Sequence, residues 1–88
     1  MKAIKLQNGT VFATDGLLTV RLLSNGECTA SPISYEVLEW DLRTEKPDMW
    51  EYLTETDIKS LPNGGFNKIA ACFDNTRATL EMIKENGR

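Results

Sequence analysis

The sequence predicts an α+β fold. It comprises a four-strand antiparallel β-meander over residues ~2–31, a mixed middle segment with short helices, a fifth strand at ~66–73, and a C-terminal helix at ~75–86 packed on the sheet. Three observations carry this reading. Asn8-Gly9, Asp15-Gly16 and Asn25-Gly26 punctuate the first 26 residues, and such pairs supply the positive φ that tight hairpin turns need. The runs between them alternate or are β-branched. Late in the chain, Asp74 or Asn75 stands before a segment with helical apolar spacing.

In the first strand, Ile4 and Leu6 face the core and Lys5 faces out. Thr10 to Thr14 is a strong β run. Leu18, Val20 and Leu22 share one face of the third strand. Its other face, with Leu17, Thr19, Arg21 and Leu23, is half apolar, which suits a central strand partly covered on both sides. Glu27 to Ser31 returns as a short fourth strand. Ser31-Pro32 then offers a helix start, with serine at the N-cap and proline in the first turn, and Ile33, Val37 and Trp40 fit a helical stripe. Leu38, Trp40 and Leu42 also alternate as a strand would. The Ser-Pro start favours a helix over 32–42 and leaves the strand open. Thr44 to Asp48, with Pro47, reads as a loop, and Met49 to Leu53 fits either element.

Thr54-Glu55-Thr56-Asp57 resembles a capping box with Asp in place of Glu, opening a short helical turn that ends before Pro62. Asn63-Gly64-Gly65 is a break. Phe66 to Phe73 follows as the fifth strand, with Ile69, Ala71 and Phe73 on one face. In the last helix Thr79, Met82, Ile83 and Asn86 line one side, and Gly87 suits the position just past the helix end. Helices are expected on one face of the sheet.

Eighty-eight residues imply one domain over 1–88. No apolar run approaches the ~20 residues of a membrane span. The start, MKAIKLQNG, lacks the apolar stretch of a signal peptide, so the expected compartment is the cytoplasm and no membrane partner is expected. The chain has two cysteines, Cys28 and Cys72, and no histidine. That removes Ser-His and Cys-His nucleophile pairs and the usual near-neutral acid–base group, and it leaves no four-ligand zinc set. Both cysteines fall in predicted strands and read as small buried hydrophobes. No enzyme chemistry, metal or cofactor is expected.

Net charge is −3 but unevenly spread. Residues 36–60 hold Glu36, Glu39, Asp41, Glu45, Asp48, Glu51, Glu55 and Asp57 against Arg43, Lys46 and Lys59, a local net of −5, and each flank is +1. Tyr35, Trp40, Trp50 and Tyr52 lie in nearly the same stretch. Carboxylates steer a basic partner, and Trp and Tyr are favoured interface anchors. Glu39, Trp40, Asp41, Glu45, Asp48, Trp50, Glu51 and Tyr52 are therefore the candidate partner-binding residues. The competing reading has the aromatics covering the sheet and the acids forming a solvated rim.

Paired carboxylates occur in the middle segment, but any acidic surface provides them. Asp41, Glu45 and Asp48 lack calcium-loop spacing. Asn63-Gly64-Gly65-Phe66-Asn67-Lys68 is glycine-rich. It is not a phosphate-loop motif, and it precedes a predicted strand instead of a helix, so it reads as a loop. Direct nucleic-acid binding is disfavoured because the aromatics travel with acids.

The expected function is that of a small acidic binding protein acting on a basic protein surface, such as that of a nucleic-acid-binding protein. Small acidic domains without catalytic residues are a common form of phage-encoded inhibitors of host defence, including anti-CRISPR proteins and nucleic-acid mimics. This chain is similar to them in size, charge and lack of chemistry, with no motif tying it to one family. The alternative is a small-molecule-binding or sequestering module that stacks Trp and Tyr on a planar ligand at an oligomer interface. A third reading is a homodimer or structural subunit paired through a free sheet edge.

Overall fold

The Gly turns fold the first thirty residues back on themselves as the sequence predicts. The computed structural model describes residues 1–45 and 48–86. Strands β1 (Lys2–Leu6), β2 (Val11–Thr14), β3 (Thr19–Leu22) and β4 (Cys28–Ala30) form an antiparallel meander. Gly9 and Gly26 adopt φ of 94°, and the Asn8 and Asn25 side-chain oxygens accept from the N–H groups of Thr10 and Glu27. Gly9→Val and Gly26→Val are expected to destabilise by roughly 1 kcal/mol or more each, because a β-branched residue strains at that φ. Chemical denaturation of the two variants checks this.

The fifth strand is β5 (Trp50–Leu53), the segment that the sequence left open. It pairs antiparallel with β1, giving the order β4-β3-β2-β1-β5. The expected strand at 66–73 is instead the start of a long helix, α3 (Gly65–Asn86). The alternation of Ile69, Ala71 and Phe73 is coincidental, and Ala71 is exposed. Ile69, Cys72, Phe73 and Thr76 follow the helical spacing, and the run is rich in alanine, the best helix former. Asp74 and Asn75 therefore lie within the helix, and Cys72 is helical. Gly87, read as the helix-ending residue, lies outside the described residues, as do Pro47 and Lys46 of the expected loop; Thr44 and Glu45 of that loop belong to helix α1 (Tyr35–Glu45).

The helices cover both faces of the sheet, not one. On one face Ala3, Val11, Ala13, Val20 and Leu22 meet Ile58 of α2 (Glu55–Lys59) and Ile69 and Phe73 of α3. On the other, Ile4 meets Tyr35 and Leu42 of α1, with Leu6, Leu38 and Trp50 packed beside them. Both faces of β1 carry apolar side chains, which makes it an interior strand. The capping box of α2 forms as read: Thr54 Oγ1 accepts from the Asp57 N–H and Asp57 Oδ2 accepts from the Thr54 N–H. A 3₁₀ turn, Pro62–Gly64, joins α2 to α3. The first half of α3 packs on the sheet, while Leu80, Met82 and Ile83 in its last turns are exposed instead of lining the core. An ion pair between Arg77 and Asp15 ties α3 to the β2–β3 turn.

Candidate functional site

The acidic and aromatic stretch divides between α1 and β5. Helix α1 begins later than the Ser-Pro signal suggests. Ser31 Oγ accepts from the Ile33 N–H in a preceding turn, and Ser34 Oγ accepts from the Val37 N–H at the helix start. This sets the rotation of the helix. Tyr35, Leu38 and Leu42 face the sheet, because they meet Ile4, Leu6 and Trp50. Ile33, Val37 and Trp40 therefore face outward, being 44%, 53% and 66% exposed. The stripe expected from sequence exists, but on the solvent side.

Glu36 and Asp41 flank that stripe, and Glu45 follows at the end of the helix. None of the three forms an ion pair among the described residues. Glu39 turns inward and lies 3.6 Å from Arg43. The Arg43 guanidinium donates to the Tyr52 hydroxyl, with Nε at 3.1 Å. This bond, with the Glu39 carboxylate, pushes the Arg43 pKa up from its already high value.

Trp50 and Tyr52 point to the α1 side of the sheet. Their rings meet edge to face at 4.7 Å, and Trp50 Nε1 donates to the Leu42 carbonyl at 3.2 Å. Trp50 thus fastens the last turn of α1 to β5. Glu51 alternates to the opposite sheet face, across from Lys5, and Asp48 is exposed just before β5. Of the eight candidate residues, the structure presents Trp40 outward with Asp41 on the flank of its stripe, leaves Glu45 exposed at the helix end on the side of Leu38 and Leu42, and gives Trp50 a packing role. Glu39 and Tyr52 are tied to Arg43, and Glu51 is set apart. Sequence reasoning missed Ile33, Val37 and Glu36 as members of the surface. The signal was the second apolar stripe, Tyr35, Leu38 and Leu42, whose bulk competes for the sheet.

Buried Tyr35 and Cys28, which is half-buried like Cys72 and not fully buried as the sequence suggests, shape the response to alkali. Burial, then the neighbouring Cys72 thiol with its hydrogen bond, pushes the Cys28 thiol up to about 12. Burial, then the Glu39 carboxylate, pushes the Tyr35 phenol up to about 12. Both groups are held neutral in the fold and ionise more readily when it opens. Stability is therefore expected to be level below about pH 9 and to fall as pH rises from there toward 12. Thermal unfolding across this range checks the sign, and Tyr35→Phe should shrink the loss above pH 10, where the unfolded phenol ionises.

Among the described residues no three His, Cys, Asp or Glu side chains gather where they could hold a metal, and no helix is long and apolar enough to cross a membrane. The fold and surface define an α+β domain whose five-stranded antiparallel sheet carries a helix with an outward apolar stripe and an acidic margin. No protein-family model, curated protein or solved structure matches the chain.

Proposed function

We propose that this protein is a non-enzymatic binding protein of the cytoplasm that docks the outward face of α1 on a basic protein surface. The observation that carries the proposal is Trp40, 66% exposed, with Val37 one turn before it and with Glu36 and Asp41 on the flanks of the stripe, neither in an ion pair among the described residues. An exposed tryptophan on a rigid helix is a ready hot-spot anchor, and the carboxylates select a partner whose apolar pocket has a basic rim. The most concrete version is an inhibitor that fills a groove evolved for a nucleic-acid backbone, as small acidic phage proteins do. Stacking on a planar ligand has weaker support, because Trp50 and Tyr52 are spent on each other and on α1.

Two variants test the proposal against a partner captured from the native host. Trp40→Ala is expected to weaken binding by roughly 2 kcal/mol, about 30-fold, mainly through faster dissociation. Reversing Glu36, Asp41 and Glu45 to lysine is expected to slow association ten-fold or more at low salt, an effect that fades as salt rises. Thermal melts should show little change, since all four residues lie on the surface or its margin. A partner held at the parental rates by both variants would refute this surface.

A further inference from the structure

On the opposite side of the sheet from α1, an open cavity of about 430 Å³ lies where the β1–β2 and β3–β4 turns meet the start of α3. Its apolar floor includes Val11, Leu22 and Leu61, and its lining contains two lysines, Lys5 and Lys68, and no carboxylate. Lys5 is half-buried, and neither lysine forms an ion pair among the described residues. Glu51 stands across from Lys5 in the β1–β5 register but does not come within ion-pair distance.

Lys68 reaches from α3 to the β3–β4 turn, where a side chain at position 26 would place its Cβ 2.9 Å from Lys68 Nζ. Gly26 thus leaves room for the ammonium at the cavity wall. Two cations lining one concavity in an acidic protein repel each other unless an anion lies between them. The glycine-rich segment Asn63 to Lys68 leads into a helix, so the objection that it precedes a strand no longer holds.

We propose that this cavity binds a small organic phosphate of nucleoside-monophosphate size. The dianionic head matches two ammonium groups, and the apolar floor takes the ring. The volume falls within the roughly 300–1,000 Å³ usual for small-ligand sites. The site is separate from the α1 surface and stands or falls independently of it.

The test is a two-dimensional amide NMR titration with adenosine 5′-monophosphate, adenosine and inorganic phosphate. The monophosphate is expected to give saturable shifts at Gly26, Gly65 and Lys68. Adenosine and phosphate alone should each bind ten-fold or more weakly. Lys5→Gln and Lys68→Gln should each lower the affinity ten-fold or more with an otherwise unchanged spectrum. Lys2→Gln, on the other sheet face, should not. Absence of saturable shifts at about 10 mM would overturn the proposal. So would equal binding of inorganic phosphate, which would show the floor unused, or an equal loss in Lys2→Gln, which would reduce the effect to bulk charge.

Discussion

Ile69→Ala is expected to cost about 2–5 kcal/mol of folding stability, the range for removing a fully buried aliphatic side chain. Ile69 is 0% exposed and lies one turn before Phe73 in the core where α3 meets Val20 and Leu22. A domain of this size has on the order of 5 kcal/mol to lose, so the variant should be largely unfolded or melt far below the parent. Ala71→Glu is the companion measurement. Ala71 is exposed in α3, so a carboxylate there should shift stability by no more than about 0.5 kcal/mol. Had 66–73 been a strand with Ile69 and Ala71 on one buried face, the same change would bury a charge and unfold the chain. Circular dichroism melts of the two variants separate the helix from the strand.

Trp50→Ala is expected to cost about 3 kcal/mol, the low end of the range for a large aromatic, since Trp50 is half-buried. The substitution removes packing against Ile4, Tyr35 and Leu42, and it frees the Leu42 carbonyl that Trp50 Nε1 satisfies. Trp40→Ala should leave the melting temperature nearly unmoved. Two tryptophans ten residues apart thus serve opposite ends, one holding α1 to the sheet and the other presented by it. Equal losses in denaturant midpoint for the two variants would contradict this division.

The parts of the fold that could be read ahead were those written in local chemistry. Asn8-Gly9, Asp15-Gly16 and Asn25-Gly26 dictate turns through their own backbone preferences, and Thr54 with Asp57 builds a cap within four residues. What resisted reading depended on distant partners. Ile33, Val37, Trp40 and Tyr35, Leu38, Leu42 are two apolar stripes on one helix, and only Ile4, Leu6 and Trp50 decide which is buried. Residues 66–73 satisfy both periods over so short a window, and the stripe extending to Thr76 resolves them. Trp50 to Leu53 becomes a strand because β1, far back in the chain, offers a free edge. The candidate surface was legible in composition and in Trp40, but its membership awaited the rotation of α1. The lysine cavity draws on segments far apart in the chain, and only one of them, the glycine-rich run Asn63 to Lys68, stood out in the sequence, where it read as a loop.

The order β4-β3-β2-β1-β5 sets a hazard during synthesis. The meander is complete once its first thirty residues have emerged, yet β1 then has a neighbour on only one side. Its other flank, with main-chain donors and acceptors unmet, waits until Trp50 to Leu53 leave the ribosome and arrive beside it. In that interval Ile4 also lacks its cover from α1. A nascent chain in this state can pair with another copy through the open flank. Lys2 and Lys5 sit on that strand, where like charges repel a second copy in either pairing direction. The same two positions would guard the strand while the sheet is still being made.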